Sequence, residues 1–305
     1  MRTGTEYTQH LQEMLLARET AAGGWSYDPA EAQPHLEPTC LSLLALRYCA
    51  EPRVTRGLEF LLHSQNPNGS WPAFAGDDQE GCWVTALAVL TLNQFRTGPN
   101  AVERGVNWLL VSKGKESHWL WKWKFRTSDT HVRFDPDKFG WSWMPGTNSW
   151  VVPTSFALLA LKQCFPSHRP RRVQFRIARG IEMLLDRVCP HGGWNAGNGV
   201  VYGVPLAPHL DATAIALLAL RGQKQDPIII ASLSWLEDRS LFCSAPSSLA
   251  WSILALRVHG QIVTGQVERL THLADTAPIH DYATLATVAL ALECANGENV
   301  FEVQS

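Results

Sequence analysis

The sequence predicts an all-α protein folded as a closed α/α toroid, in which an inner ring of six helices lies inside an outer ring of six. Three observations predict this fold: an apolar phrase that recurs six times, intervals that fit helical hairpins, and amphipathic segments between the copies. We interpret the chain as one toroid domain, 1–305, with an inserted loop in the third repeat at about 115–149.

The repeated phrase starts with threonine and continues with alanine, leucine and other apolar residues. Four full copies occupy Thr39–Leu46, Thr85–Leu92, Thr154–Leu161 and Thr213–Leu220, and two shorter copies end at Leu256 and Leu292. A segment that is apolar on every side is typical of a helix that is buried all round. The six copies therefore predict six inner helices.

The intervals between copies identify the repeating unit. Successive copies start 46, 69, 59, 36 and 36 residues apart. An interval of this size holds two helices and two loops, because a helix averages ~11–12 residues and a connection ~4–6. Each copy therefore belongs to a helical hairpin, and the longest interval predicts the insertion.

The outer helix of each hairpin is predicted from charge on one face. Such amphipathic segments lie at 54–64, 101–112, 177–188 and 228–237. An open solenoid would leave one side of the apolar inner layer exposed to water, so closure into a ring is favoured.

Composition excludes several classes of protein. The net charge is −2, without the basic excess of a nucleic-acid-binding protein. The seven cysteines include no C-x-x-C pair, and the first residues lack the apolar run of a signal peptide. No stretch approaches the ~20 apolar residues of a membrane-spanning helix. These features predict a cytoplasmic protein.

Loops with glycine and tryptophan precede the first four inner helices. They contain Trp25, Trp71, the pair Trp141 and Trp143, and Trp194, and residues 65–71 read Q-x-x-x-G-x-W. We expect the glycine to end the outer helix in a left-handed cap. The tryptophan is expected to pack as a wedge between neighbouring hairpins.

Together, the Q-x-x-x-G-x-W segment, the Gly-Trp loops and the Thr-led helices resemble the squalene cyclase and prenyltransferase repeat superfamily over residues 20–295. The resemblance implies the toroid fold and an isoprenoid small-molecule substrate. It does not fix the activity, because one fold carries several chemistries.

Two of the six copies carry a polar prefix with the pattern His-Leu-acid-x-Thr. The first is His35-Leu-Glu37-Pro-Thr39, and the fourth is His209-Leu-Asp211-Ala-Thr213. Helix capping explains the acid but does not require the histidine. Six parallel inner helices, spaced ~8–10 Å apart, leave a lumen on the order of 8–10 Å wide. Repeats one and four lie opposite each other, so the two prefixes are predicted to face across this lumen.

The fourth copy also resembles the Asp-x-Asp-Asp-Thr motif of class II terpene cyclases, whose middle Asp protonates an alkene or epoxide. Aligned by its threonine, Asp211 takes the protonating position, while His209 and Ala212 replace the other two Asp residues. The resemblance implies an enzyme in which Asp211 is the catalytic acid, with His209, Glu37 and His35 as further catalytic residues. Such chemistry requires a carboxylic acid in a dry site.

Carbocation chemistry also requires a π-rich lumen, because aromatic faces stabilise a cation and water destroys it. The chain contains 13 tryptophans. We interpret Trp25, Trp71 and Trp194 as wedges of the repeat. The predicted substrate-binding residues lie near the starts of inner helices or in the loops before them: Trp83, Trp143, Trp150, Tyr202, Trp251 and Tyr282.

The insertion contains the segment W-L-W-K-W-K-F-R at 119–126. Its alternation predicts an extended segment with Trp119, Trp121 and Trp123 on one side. Two interpretations are open: peripheral membrane contact through these tryptophans, or a loop strapped over one end of the toroid.

Diphosphate and metal binding are also open. Asp77 and Asp78 form either a cation or Mg-diphosphate site or a solvated turn, and Arg126, Arg133 and Lys138 are the nearest candidates for a diphosphate.

Two alternatives to a cyclase remain. The resemblance to protein prenyltransferase β-subunits suggests a zinc-dependent prenyl transfer subunit, with His280, Asp281 and Cys40 as metal ligands near the first repeat. The other is a non-catalytic toroid that binds a lipid or a protein partner. No cofactor is assigned, with zinc and magnesium left open.

Overall fold

A computed structural model describes residues 4–129, 131–297 and 299–303 of the chain. Within these residues it contains thirteen α-helices and one two-stranded hairpin, whose bounds are α1 (Gly4–Leu16), α2 (Leu36–Ala45), α3 (Pro52–His63), α4 (Val84–Gln94), α5 (Pro99–Val111), α6 (Trp119–Thr127), α7 (Val151–Cys164), α8 (Arg171–Asp186), β1 (Val200–Val201), β2 (Val204–Pro205), α9 (Leu210–Ala219), α10 (Pro227–Ser240), α11 (Pro246–Val258), α12 (Thr264–Thr276) and α13 (Tyr282–Ala295).

Six of these helices form a closed inner ring. In order they are α2, α4, α7, α9, α11 and α13; each packs on the next, and α13 packs on α2. The other helices of the hairpins, α1, α3, α5, α8, α10 and α12, pack on the ring from outside. The α/α toroid predicted from the sequence is confirmed. That residues 1–305 form one domain stays a prediction.

The leading threonine of the phrase clamps each Gly-Trp loop onto its inner helix. In four repeats the threonine Oγ1 accepts a hydrogen bond from the tryptophan backbone N–H at 2.9–3.0 Å and donates to the tryptophan carbonyl. The four pairs are Trp25 with Thr39, Trp71 with Thr85, Trp141 with Thr154 and Trp194 with Thr213. All four threonines are fully buried, so the clamp satisfies a polar group that the core would otherwise isolate.

The tryptophan side chains are wedges between outer helices, as predicted. The indole N–H of Trp71 donates to Leu61 O in α3 at 2.7 Å, and its ring packs against Gly105 of α5. A Cβ at Gly105 would lie 2.8 Å from that ring and 2.5 Å from Val89. Gly57 and Gly180 leave the same space for Trp25 and Trp141, so an Arg-Gly pair in the outer helix marks the partner of these three wedges.

The glycines before the tryptophans do not cap the outer helices. Helix α3 ends at His63 with Ser64 as its right-handed C-cap, whereas Gly69 lies in the following turn with a φ of 93°. The predicted helix cap is therefore wrong, although the left-handed conformation is present. Glycine is required there because a Cβ at Gly69 would lie 2.6 Å from Arg104 O.

The segment at 119–126 is also different from the prediction, because it is the helix α6 and not an extended strand. In a pattern of period two, the same type of residue also recurs every four positions. Residues four apart lie on the same face of a helix, so the pattern is compatible with a helix as well. The rings of Trp121 and Phe125 lie 6.0 Å apart, and both Lys122 and Arg126 pair with Asp137. Trp119 and Trp123 share the exposed face.

All inner helices follow a loop that returns from the outer ring, so they begin at the same end of the toroid. This end is called the mouth. None of the described helices is both long enough and apolar enough to cross a membrane.

Candidate active site at the mouth of the ring

Glu37 lies in the first turn of α2, at the mouth, and its carboxyl group is half-buried. The Tyr27 hydroxyl, from the loop after α1, donates a hydrogen bond to Glu37 Oε2. Burial raises the pKa of Glu37 above its ordinary value of 4.5, and the nearby negative charge of Asp281 raises it further, while the Tyr27 hydrogen bond opposes the shift. A carboxyl group in this environment retains its proton to higher pH, as a general acid must.

Closure of the ring builds the surroundings of Glu37. The carboxylate of Asp281 caps α13 by accepting from the backbone N–H of Ala283 and Thr284. The backbone N–H of Tyr282 donates to Tyr27 O at 3.2 Å. Arg18 Nη1 donates to the Tyr282 hydroxyl at 2.9 Å. Repeats one and six therefore share one hydrogen-bonded cluster around the carboxyl group.

His35 precedes α2 and packs between two aromatic rings. Its imidazole lies 5.1 Å from the Tyr27 ring and 5.6 Å from the Phe74 ring. The Nδ1 atom is buried without a hydrogen bond, and the nearest carboxylate oxygen, Glu31 Oε2, is 3.7 Å away. Its backbone pairs with both Trp25 and Phe74, so His35 is fixed as part of the wall beside Tyr27.

Asp77 and Asp78 form a second acidic group, and their charges act on Cys82 at the mouth. Burial raises the pKa of Cys82 to about 11, and the negative charges of Asp78, Asp77 and Glu37 add to the shift. Asp78 accepts a hydrogen bond from the backbone N–H of Gly81, which is the geometry of a polar turn. This part of the mouth is therefore rich in negative charge.

Asp211 and His209 occupy the equivalent positions at the start of α9. Around the ring α9 is three helices from α2, and so lies on the opposite wall as expected. Both side chains are exposed to solvent, and His209 makes no side-chain cap of α9. The same sequence pattern thus gives one half-buried acid, Glu37, and one exposed acid, Asp211.

Aromatic side chains form a continuous column through the interior of the ring. The Trp143 and Trp83 rings lie 5.2 Å apart, and Trp83 lies 5.4 Å from Phe156 on α7. Phe156 in turn lies 5.7 Å from Trp251 on α11. Helices α7 and α11 are separated by α9, so this last contact crosses the lumen. Trp83 directly precedes α4, so this end of the column lies at the mouth, where Glu37 also lies in the first turn of α2.

Two members of this aromatic cluster were not predicted, Phe156 and Phe301. Phe156 and Trp251 both stand two residues after the start of a phrase copy, and this register was the signal that could have revealed Phe156. Phe301 follows the last helix and carries no repeat pattern. Its ring nevertheless lies 5.2 Å from Trp251 and is fully buried.

The remaining predicted substrate-binding residues lie in three different places. Trp150 precedes α7 and packs over Gly197, and Tyr282 is buried in the cluster around Glu37. Tyr202 is 73% exposed at the tip of the β1–β2 hairpin, where it stacks on His131. Tyr202 is therefore apart from the aromatic column.

The alternative zinc ligands do not gather into a cluster. Cys40 is fully buried in α2, where burial raises its pKa to about 12, and Asp281 is engaged as the cap of α13. Among the residues that the structure describes, no three His, Cys, Asp or Glu side chains are placed to hold a metal ion.

Curated relatives of known activity match about half of the chain. Lanosterol synthase of Candida albicans is 27% identical over 183 residues, which cover 53% of this chain and 22% of that protein. Squalene–hopene cyclase of Bradyrhizobium diazoefficiens is 28% identical over 170 residues, covering 54% and 23%. The chain is thus similar to squalene cyclase-like enzymes over about half of its length. It spans about a fifth of the length of these relatives. No protein-family model matches it.

Solved structures agree on the toroid. The type II terpene cyclase MstE from Scytonema, in complex with merosterolic acid A, gives a TM-score of 0.62 at 12% identity, covering 96% of this chain and 97% of that one. An α-amylase from Clostridium perfringens gives a TM-score of 0.68 at 9% identity, covering 96% and 99%. Since proteins with different chemistry share the architecture, these structures support the fold alone.

Proposed function

We propose that the protein is an isoprenoid-processing enzyme of the class II terpene cyclase type, which starts a cyclisation by protonating an alkene or epoxide inside the ring. The observation that carries this proposal is the half-buried Glu37 with a raised pKa, at the mouth of a ring whose interior holds a column of aromatic side chains. The chemistry requires an acid that holds its proton and π-rich surroundings, and Glu37 and the aromatic column support these two requirements.

Glu37 is the proposed proton donor. Its proton forms a new C–H bond with one alkene carbon, the π electrons are consumed in that bond, and the other carbon becomes a cation. A second alkene of the same substrate attacks that cation, and loss of a proton or capture of water ends the reaction. Tyr27 donates a hydrogen bond to the Glu37 carboxylate that remains, which stabilises the conjugate base until solvent returns the proton.

Asp211 is the second candidate for the acid, on the strength of its position in the motif. An exposed carboxyl group is surrounded by water, which captures carbocations, whereas the Glu37 group is shielded by Tyr27 and the start of α13. We therefore assign the role of proton donor to Glu37. Asp211 and His209 are assigned a supporting role on the opposite wall.

The relatives support the proposed class of substrate. MstE has been solved with geranylgeranyl dihydroxybenzoate as its substrate, and the curated relatives are named for sterol and hopene synthesis. We propose a polyprenyl chain for this protein too, because an aromatic lumen suits an apolar, cation-forming ligand.

We also propose that α6 contacts a lipid surface from which such a substrate is taken. Trp119, Leu120 and Trp123 are 72%, 49% and 60% exposed on one face of the helix. Trp121 does not belong to this face, because Lys115 and Lys124 lie 4.5 and 4.9 Å from its ring centre. Exposed tryptophan beside lysine and arginine suits the headgroup region of a membrane.

Paired substitutions in the two equivalent motifs test the proposed acid. Purified wild type, Glu37→Gln and Asp211→Asn are incubated with farnesyl, geranylgeranyl and squalene-type substrates, and cyclic products are measured by mass spectrometry. We expect Glu37→Gln to lower product formation by about 100-fold or more, since general acid catalysis contributes ~10²–10⁴-fold, and Asp211→Asn to retain most activity.

Two results would contradict the assignment. Loss of product in Asp211→Asn but not in Glu37→Gln would move the acid to the fourth repeat. Failure of the wild type to convert any of these substrates, while still binding them, would instead favour the non-catalytic toroid. The contact of Phe156 with Trp251 across the lumen is the observation that favours this second function, because these side chains fill the ring at that level.

A further inference from the structure

A surface cavity of about 670 Å³ lies where helices α7 and α9 end, at the end of the toroid opposite the mouth. Its volume is in the ~300–1,000 Å³ range of small-molecule sites. Ile177 and Ile181 of α8 supply apolar surface to its lining. The charged side chains among the described residues that line it are all positive: Lys162, Arg169, Arg221 and Lys224.

Lys162 is the most buried of these cations. Its side chain belongs to α7 and is only 7% exposed, and its ammonium donates to Ala219 O at 2.6 Å. This bond uses one of the three N–H donors of the ammonium. Burial lowers the pKa of Lys162 to about 8, and the positive charge of Arg169 contributes to the shift. A buried charge is costly unless it is paired, so an anion beside this ammonium would be stabilised.

The other cations leave an excess of positive charge around the cavity. Arg221 pairs with Glu302, whose Oε1 lies 2.5 Å from Nη2. Within the parts of the chain that the structure describes, Arg169 and Lys224 form no ion pair, and neither does Lys162. The excess also acts on His259, whose pKa is lowered by burial and further by the charges of Lys224 and Arg221.

We propose that this cavity binds an organic phosphate, whose phosphate group lies among the Lys162, Arg169 and Lys224 side chains. Its apolar part would contact Ile177 and Ile181. A phosphate monoester carries about −1.5 to −2 charges near neutral pH and accepts several charge-assisted hydrogen bonds, which suits a group of cations better than a carboxylate does. The phosphate belongs either to a soluble monoester or to a lipid headgroup. The site is separate from Glu37 and does not depend on the proposed cyclisation.

Hexyl phosphate is the probe for this site. Its binding to the wild type is measured by isothermal titration calorimetry at neutral pH and compared with inorganic phosphate and hexanoate. We expect hexyl phosphate to bind more tightly than either, because it alone offers both a dianion and an apolar chain. It should also raise the midpoint of thermal unfolding, since a ligand of the folded state stabilises that state.

Two double variants separate the cavity from the general surface charge. We expect Arg169→Gln/Lys224→Gln to weaken hexyl phosphate by about tenfold or more, the range for a lost hydrogen bond to a charged group. Arg171→Gln/Arg239→Gln is the matched control, because it removes two exposed positive charges from α8 and α10 outside the cavity, and it should bind like the wild type.

The apolar contact is tested by Ile181→Ala, which should weaken hexyl phosphate and leave inorganic phosphate unchanged. All these positions except Ile181 and Arg169 are exposed, and those two are partly exposed, so the variants are expected to fold. Circular dichroism confirms that each variant is folded.

Vesicles that contain phosphatidic acid distinguish the two sources of the phosphate. A lipid headgroup predicts vesicle binding that Arg169→Gln/Lys224→Gln loses and the control retains, whereas a soluble monoester predicts no such difference beside the calorimetric result. Equal affinity of the wild type and Arg169→Gln/Lys224→Gln for hexyl phosphate would overturn the proposal. Hexanoate binding as tightly as hexyl phosphate would do so as well, as would a wild type that binds neither hexyl phosphate nor the vesicles.

Discussion

At the scale of single residues, Glu37 and Asp211 show how one pattern acquires two environments. Both acids follow His-Leu at the start of an inner helix. Glu37 receives a hydroxyl donor, Tyr27, and a neighbouring carboxylate, Asp281, and burial raises its pKa, whereas the Asp211 side chain is exposed to solvent. The identity of the acid in the motif does not decide its chemistry. The loops brought beside it do.

The raised pKa of Glu37 predicts a pH-dependent cost to stability. The folded protein holds this proton more tightly than the unfolded chain, so between the ordinary value of 4.5 and the raised one the unfolded state binds fewer protons and stability falls as pH rises. Each unit of elevation corresponds to about 1.4 kcal/mol. We expect Glu37→Gln to remove this cost, so that its unfolding free energy relative to wild type increases as pH rises above about 4.5.

The measurement is urea unfolding of both proteins across this range of pH. Asp211→Asn is the matched control, because it makes the corresponding change at the equivalent position of the fourth repeat, where the side chain is exposed. A difference for Glu37→Gln that does not change with pH would show that burial does not penalise the Glu37 charge.

At the scale of elements, the sequence predicted the buried helices better than the loops. Threonine-led apolar phrases specify inner helices because nothing except burial suits them, and the same threonines then clamp the Gly-Trp loops. The glycine turns and α6 were assigned the wrong local structure. In α6, a pattern of period two also places like residues four positions apart, on one face of a helix. The helical arrangement brings Lys122 and Arg126 together, so that both pair with Asp137.

Helix α6 also supplies a testable surface. We expect the double variant Trp119→Ala/Trp123→Ala to bind vesicles of phosphatidylcholine and phosphatidylglycerol at least tenfold more weakly than wild type, because burying each large apolar side chain contributes about 1.5–3 kcal/mol. Trp121→Ala is the control, since its ring is covered by Lys115 and Lys124. Co-sedimentation measures the bound fraction, and equal binding by all three proteins would exclude this face as the lipid contact.

At the scale of the whole molecule, the sequence did not predict which residues meet at the site when the ring closes. The periodic phrase predicted six helices and the contact between repeats six and one, and α13 does pack on α2. Yet Tyr27 and Tyr282 are joined by a backbone hydrogen bond across 255 positions of sequence, and Phe301 enters from a segment without repeats. Such contacts depend on how the ends of the ring meet, which no local pattern encodes.

The seam that closes the ring gives the last prediction. Arg47 Nη1 lies 2.6 Å from Glu293 Oε2, and their side chains are only 8% and 17% exposed. Removing one member of a largely buried ion pair destabilises a protein, because the attraction is lost while the other charge stays out of water. We expect Glu293→Gln to lower the unfolding free energy by about 1.5–3 kcal/mol, the range for a hydrogen bond to a charged group, and to keep a single transition, since each hairpin of a closed ring is supported on two sides.

Glu182→Gln is the control for the seam, because its pair with Arg179 is 43% and 34% exposed and surface pairs contribute about 0–1 kcal/mol. Unfolding is followed by tryptophan fluorescence and by far-ultraviolet circular dichroism in the same urea series. Coincident transitions with a large loss only in Glu293→Gln would establish the seam as part of one cooperative ring. Equal losses in the two variants, or a first transition confined to fluorescence, would mean that repeats one and six separate while the other hairpins remain folded.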